Sequence, residues 1–140
     1  MIIYKDSLEN IGPQNLHGFF VGWPKPPSPE THYNILLNSR YVILAVDDES
    51  ENVIGFVNAV SDGHMCAYIP LLEVLPSYGG RGIGSELMRR LMKKLDGLYM
   101  IDLVCNRDLI PFYKRFNMKS VSEMKIDAMI IRDFKHQSGR

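Results

Sequence analysis

Four glycines within residues 79–85 (GGRGIGS) restrict the fold of this chain more than any other feature of its sequence. The run follows an apolar, β-branched stretch, and it precedes a segment in which leucine or isoleucine recurs every four residues. This order predicts a strand, a tight turn and an amphipathic helix in direct succession. The first N–H groups of such a helix point outward at the positive end of its dipole, and glycine lets an anion approach them. The segment is therefore either a phosphate-binding loop or a plain turn.

The hydrophobic pattern elsewhere alternates between strand and helix signals. Strands are predicted over residues 1–4, 41–46, 53–60, 65–75 and 98–105, and helices over residues 10–20, 29–38, 83–95 and 108–116. Polar turns join the three middle strands as antiparallel hairpins, and Pro70 predicts a bulge or break in the last of them. Residues 121–131 predict a closing hairpin that turns near Asp127, and we expect the polar tail from Arg132 onward to fray. The order predicts one α/β or α+β domain over residues 1–140 with a mixed sheet.

Composition and charge exclude several classes of protein. The 16 Lys and Arg residues balance 16 Asp and Glu residues, so the chain lacks the basic surplus that nucleic-acid binding usually requires. With 46% hydrophobic and 23% charged residues it has the balance of a globular rather than a disordered chain. It has no window of about 18 uncharged apolar residues that would predict a membrane span. Residues 1–6 also lack the features of a signal peptide, so we expect a cytoplasmic protein.

The cysteines and histidines predict no metal site and no disulfide framework. Two cysteines are too few for such a framework, and we expect both thiols to be reduced. The four histidines have no metal-ligand spacing, and we expect His32 to lie on the surface of the helix that contains it. The exposed basic face of the helix over residues 83–95 is most simply a solvated face.

Two widespread phosphate-binding loops match the glycine run poorly. A Walker A loop ends in Gly-Lys-Ser/Thr, and this run contains no lysine. A Rossmann fingerprint needs Gly-x-Gly-x-x-Gly, and Gly80 and Gly82 are followed by Ser85 at the third glycine position. Asp102 does lie 20 residues beyond Gly82, where a ribose-binding acid is required. The preceding strands, however, look like hairpins rather than a parallel series.

The stretch over residues 74–87 (VLPSYGGRGIGSEL) resembles the acetyl-CoA-binding signature of the GCN5-related N-acetyltransferases, the GNAT superfamily. That signature is Gln/Arg-x-x-Gly-x-Gly/Ala between a bulged strand and a helix. Gly82 and Gly84 match its two glycines. Gly79 stands where glutamine or arginine is usual, which removes a side chain but no backbone donor.

A second stretch, residues 106–118 (NRDLIPFYKRFNM), resembles the Asn…Phe-Tyr-x-x-x-Gly-Phe segment of the same family. Asn106 and the Phe-Tyr pair at 112–113 match it. Asn117 and Met118 replace Gly and Phe, and both replacements are physically mild. The two motifs stand in the expected order with the expected strand between them. The resemblance covers most of the chain and implies a mixed, mostly antiparallel central sheet flanked by about four helices.

The resemblance also implies a reaction, the transfer of an acetyl group from acetyl-CoA to an amine by direct attack in a ternary complex without a metal. The backbone N–H group of Val74 or Leu75 would stabilise the oxyanion. Asn106 would either hydrogen-bond the pantetheine or cap the chain. The pyrophosphate would lie on the backbone of Gly80, Arg81, Gly82, Ile83, Gly84 and Ser85, with a side-chain contact from Arg81.

Tyr113 and Glu73 are the candidate catalytic residues under this resemblance. A phenol can protonate the leaving thiolate, although Tyr113 would otherwise be read as a half-buried aromatic. Glu73 is the first candidate for the general base, with an ion pair at the sheet rim as its structural alternative. The base remains open, because Asp102, Asp62 and His64 are further candidates.

The acceptor amine, a small molecule or a peptide, is not specified by the sequence. Trp23, within a proline-rich loop, would form one wall of its site or anchor the loop in the core. A non-catalytic CoA-binding sensor or partner-binding module is the alternative function, and an enzyme for longer acyl-CoA is a variant of the first. By analogy with such domains, we also expect a homodimer through sheet edges or terminal strands.

Overall fold

A five-stranded sheet forms the frame of the computed structural model, which describes residues 1–132. Its strands are β1 (Ile2–Lys5), β2 (Tyr41–Asp47), β3 (Val53–Ser61), β4 (Cys66–Val74) and β5 (Met100–Asp102). They lie in sequence order across the sheet, antiparallel from β1 to β4, whereas β4 and β5 are parallel. This confirms the mixed, mostly antiparallel sheet.

The described part of the chain contains three α-helices, rather than the four or so that we predicted. They are α1 (Pro29–Leu37), α2 (Ile83–Lys94) and α3 (Ile110–Lys114). Ser28 caps α1, because its Oγ accepts a hydrogen bond of 3.1 Å from the Thr31 N–H group. The α-helix predicted over residues 10–20 is wrong, because the only helical turn there is a 3₁₀ turn at Pro13–Asn15. Gly18 and Phe20 have positive φ angles, which a right-handed α-helix does not permit.

The closing hairpin predicted over residues 121–131 is wrong. This segment contains a 3₁₀ turn at Val121–Glu123 and, from there to residue 132, neither helix nor strand. Its apolar side chains are exposed, with Met129 at 91%. The apolar pattern predicted strands, but among the described residues this segment pairs with no strand of the sheet. Residues 133–140, which hold most of the tail that we expected to fray, lie outside the described residues.

Each face of the sheet buries its own hydrophobic cluster. Side chains alternate between the faces along β2 and β3, so Ile43 and Val57 pack under α2 while Leu44 and Phe56 face the other way. The spacing of apolar residues in α2 is confirmed, since Ile83, Leu87, Met88 and Leu91 are all buried. The opposite cluster is covered by α1 and by residues 11–20.

The end of β4 separates from β5, and this separation positions the candidate site. Only three residue pairs join these strands, the last of them Tyr68 with Asp102. Over residues 69–74, β4 is paired with β3 alone among the described residues. The register with β3 shifts where β4 contributes Ile69 and Pro70 against a single residue, which confirms the predicted bulge. The last residues of β4 therefore have a free backbone edge.

Candidate active site

The glycine run forms a compact turn between β4 and α2. After a 3₁₀ turn at Pro76–Tyr78, Gly80 and Gly82 adopt φ angles of +76° and +77°. Neither glycine has another atom within 4 Å of the position that a Cβ would occupy, so the backbone angle, rather than space, requires glycine there. Gly82 is the N-cap of α2 and offers no side chain to the first N–H groups of the helix. These are the N–H groups for which the sequence predicts anion binding, and that role stays a prediction.

Two guanidinium groups flank this turn. Arg81 is exposed and lies over the ring of Tyr78, with 5.1 Å between its Cζ and the ring centroid. Arg115, at the end of α3, donates a hydrogen bond to Ser85 Oγ in the first turn of α2. It also stacks over the Phe112 ring at 4.9 Å. Sequence reasoning missed Arg115, although its place within the second motif was a signal that could have revealed it.

The backbone direction at the end of β4 separates the two candidate oxyanion donors. The Leu75 N–H group donates to the Ile54 carbonyl oxygen at 2.8 Å, so it points towards β3. Because N–H groups alternate in direction along a strand, the Val74 N–H group points to the free edge. Of the two, Val74 is the donor that faces the gap beside β5.

The second motif brings α3 to the same place. A methyl group added to Gly84 would lie 3.9 Å from both the Phe112 ring and the Val74 side chain, so α2, β4 and α3 converge here. The Tyr113 ring packs edge-on against Phe112 at 5.0 Å. Burial, with a smaller contribution from the neighbouring Cys105 thiol, raises the pKa of Tyr113 to about 12. The phenol therefore keeps its proton at neutral pH.

Asn106 begins the turn that leads into α3. Its carbonyl oxygen accepts the Leu109 N–H group at 2.9 Å, while its side chain makes no capping hydrogen bond. Its backbone thus provides the cap, and its amide is available for another contact such as the predicted pantetheine bond.

Glu73 and Trp23 lie on the opposite side of β4 from α2. The Glu73 carboxylate accepts the Phe20 N–H group at 2.8 Å and the Val21 N–H group at 3.3 Å. Trp23 is half-buried, and its ring meets that of Phe20 edge-on at 5.2 Å. Trp23 is thus part of a loop that runs beside the end of β4, and Glu73 hydrogen-bonds to the same loop.

The other candidate bases occupy different surroundings. The Asp62 carboxylate accepts three backbone N–H groups of its own turn, from His64, Met65 and Cys66, at 2.9 to 3.1 Å. These hydrogen bonds lower the pKa of Asp62 to about 2, which makes it a weak base. Asp102 lies on β5 opposite Tyr68, at the point where the two strands separate.

A separate groove of about 790 Å³ lies between the segment after β1 and the outer face of α2. The basic face of α2 borders it, and its cations are largely paired. Lys94 forms an ion pair with Asp6 at 2.5 Å, and Glu86 accepts both Arg89 and Arg90 at 2.6 Å. The groove is thus distinct from the glycine turn at the other end of the helix.

Within residues 1–132, no three His, Cys, Asp or Glu side chains are grouped as a metal ion would require. Over the same residues, no helix has both the length and the apolar character needed to cross a bilayer. Cys66 and Cys105 are both free thiols.

Comparison with known proteins assigns this arrangement to a family. Residues 9–118 match the acetyltransferase (GNAT) family, and the chain therefore belongs to that family. The crystal structure of a Deinococcus radiodurans R1 protein assigned as an acetyltransferase is 45% identical, with a TM-score of 0.87 over 99% of this chain and 93% of that one.

Two further relatives agree with this assignment. A GNAT-family acetyltransferase of Streptococcus pneumoniae TIGR4 is 28% identical, with a TM-score of 0.77 over 95% of this chain and 98% of that one. The uncharacterized N-acetyltransferase ycf52 of Porphyra purpurea is 29% identical over 81% of this chain and 68% of its own length.

Proposed function

We propose that this chain is an acetyl-CoA-dependent N-acetyltransferase in which the amine attacks the thioester directly. The observation that carries the proposal is the convergence of three elements on one point. Gly84 of α2 lies beside both Val74 of β4 and Phe112 of α3, and Tyr113 follows Phe112. The GNAT family, to which the chain belongs, uses acetyl-CoA.

The carrier fits the backbone of this site. The N–H groups of residues 80–85 bind the pyrophosphate, because they combine unpaired donors with the positive end of the α2 dipole. Arg81 and Arg115 add positive charge at the two sides of the turn. The amide-rich pantetheine arm pairs with the free edge of β4 as an added strand, and the Asn106 amide contributes a further hydrogen bond.

In the chemical step, different groups of the protein contact the thioester oxygen and the sulfur. The Val74 N–H group donates to the thioester oxygen as the amine nitrogen forms its bond to the carbonyl carbon. The carbon–sulfur bond then breaks, and the Tyr113 phenol gives its proton to the departing sulfur. Burial raises the pKa of Tyr113 to about 12, which keeps the phenol protonated until the thiolate forms. The proton lost by the amine restores the phenol through solvent or a base.

The acceptor must first lose a proton. An alkylammonium with a pKa of about 10.4 is neutral about once in 2,500 molecules at pH 7, a cost of about 4.6 kcal/mol. Asp102 and His64 stay candidates for the base that meets this cost, whereas Glu73, the first candidate from the sequence, has both carboxylate oxygens engaged by loop N–H groups. A small-molecule or peptide amine as acceptor, the cytoplasmic location and the lack of nucleic-acid or membrane partners also stay predictions.

The first test is calorimetric titration of the purified chain with acetyl-CoA. We expect micromolar binding, weakened about tenfold by Arg81→Glu, which places a negative charge beside the pyrophosphate. Lys93→Glu is the matched control, since it makes the same charge change about 15 Å along α2 from the loop, beyond the screening length at physiological salt. Absence of binding by the folded wild type would show that the transferase proposal is wrong.

The second test measures release of CoA thiol with a panel of amines consisting of spermidine, glucosamine, Nα-acetyl-lysine amide and a short peptide with a free N-terminus. We expect turnover of at least one, and Tyr113→Phe should lower kcat about 100-fold or more while acetyl-CoA binding is retained. Binding without turnover of any panel amine would favour the non-catalytic CoA-binding module instead.

A further inference from the structure

One carboxylate attaches the loop of residues 18–23 to the end of β4. Glu73 Oε1 accepts the Phe20 N–H group at 2.8 Å, and Oε2 accepts the Val21 N–H group at 3.3 Å. Two successive backbone N–H groups that converge on one anion form the concave arrangement known as a nest. The loop is thereby fixed to the residue directly before Val74, which we assign to the oxyanion.

The loop is held in a backbone conformation that its sequence does not favour. Phe20 has a φ angle of +62°, in the left-handed region that a bulky aromatic residue rarely adopts. Such a residue persists there only when surrounding contacts enforce it. The Phe20 ring supplies part of that enforcement, because it is 4% exposed and meets His32 at 4.9 Å and Trp23 at 5.2 Å. The two hydrogen bonds to Glu73 supply the rest.

The same hydrogen bonds conflict with a role in proton abstraction. Each oxygen of Glu73 already accepts a loop N–H group. A proton taken from the substrate would weaken both hydrogen bonds, because a neutral carboxyl group is a weaker acceptor than a carboxylate. The geometry suits a carboxylate that keeps the loop in place.

We propose that Glu73 is a positioning residue that holds the loop of residues 18–23, and Trp23 with it, as the acceptor-side wall beside the acetyl group. The role of this wall rests on the proposed function, whereas the hold of Glu73 on the loop does not. Both parts can therefore be tested separately.

The first test uses amide hydrogen exchange of the ligand-free protein. Glu73→Gln places an NH₂ group where one oxygen accepts, so at least one loop hydrogen bond is lost at nearly unchanged size. We expect the Phe20 and Val21 amides to exchange at least tenfold faster in this variant. Val46→Ala is the control, since Val46 is buried in the same cluster but away from these bonds, and it should lower Tm without this local effect. Unchanged exchange in Glu73→Gln would overturn the proposal.

The second test compares kinetic constants for the panel amine with the highest kcat/KM. We expect Glu73→Gln to raise the KM of the amine about tenfold, to leave kcat within about threefold and to preserve both the pH profile and acetyl-CoA binding. A 100-fold fall in kcat with unchanged KM and a lost limb of the pH profile would instead make Glu73 the general base and overturn the proposal. If the wild type does not bind acetyl-CoA, the proposed function fails, and the exchange experiment still decides whether Glu73 holds the loop.

Discussion

At the scale of single residues, burial and backbone hydrogen bonds decide the protonation states of the side chains with shifted pKa values. Burial keeps Tyr113 protonated by raising its pKa to about 12. Three backbone donors keep Asp62 ionised by lowering its pKa to about 2. His32 is the case that the sequence analysis misjudged, because we expected a surface residue and the side chain is 1% exposed. The apolar residues of α1 have no clear helical spacing, so the sequence did not show which face of the helix is buried.

His32 predicts a pH dependence of stability. Its ring contacts Phe19, Phe20 and Phe56, and neither ring nitrogen has a hydrogen-bond partner. Loss of hydration lowers its pKa from 6.5 to about 4. Between these values the unfolded chain binds a proton that the folded chain does not, so the free energy of unfolding falls as the pH decreases from 6.5 towards 4. The steepest contribution is about 1.4 kcal/mol per pH unit.

Urea denaturation of the wild type and of His32→Phe at several pH values between 7 and 4 checks this dependence. The phenylalanine ring fits an aromatic surrounding and does not titrate, so the difference between the two proteins isolates the imidazole. His64→Gln, at an exposed turn, is the matched control and should keep the wild-type slope. Parallel slopes for the wild type and His32→Phe would contradict the prediction.

At the scale of secondary structure elements, features that depend on neighbouring residues could be predicted from the sequence, whereas contacts between distant residues could not. The bulge at Pro70 and the glycine turn before α2 depend on neighbouring residues, and the sequence predicted them. The two hydrogen bonds of Glu73 join residues more than 50 positions apart, and no local pattern indicates them. The hairpin predicted over residues 121–131 is wrong because it also depends on distant contacts. An apolar pattern indicates which side chains a strand would bury, but not whether a sheet is present to bury them.

The N-terminus of α2 offers a prediction from two neighbouring glycines. Gly82→Ala forces alanine to a φ angle of +77° and should lower the free energy of unfolding by about 1–2 kcal/mol. Gly84→Ala adds a methyl group at 3.9 Å from its neighbours inside the helix, where alanine is favoured over glycine by up to about 1 kcal/mol. Chemical denaturation of both ligand-free variants checks the contrast. Equal changes in the free energy of unfolding would show that backbone strain is not the reason for glycine at position 82.

At the scale of the whole molecule, the described sheet ends at β5 with an edge that is open to a further strand. The segment of residues 126–131 also exposes apolar side chains, with Met129 at 91% and Ile131 fully exposed. An open edge invites pairing with another chain, and an exposed apolar run favours burial against a partner. Each copy of the chain thus presents both halves of a self-complementary contact, which is the requirement for a symmetric dimer.

We therefore predict a homodimer in which residues 126–131 of one copy cover the β5 edge of the other. Sedimentation equilibrium should give about 32 kDa, twice the 16.0 kDa of the chain. Met129→Asp combined with Ile131→Asp should shift the protein to the monomer, because burying two carboxylates in an apolar contact costs several kcal/mol. Leu37→Asp, at an exposed position on α1, is the matched control and should leave the dimer intact. A wild type that sediments at the mass of one chain would show that the homodimer is wrong, and a dimer that survives the double substitution would place its contact elsewhere on the surface.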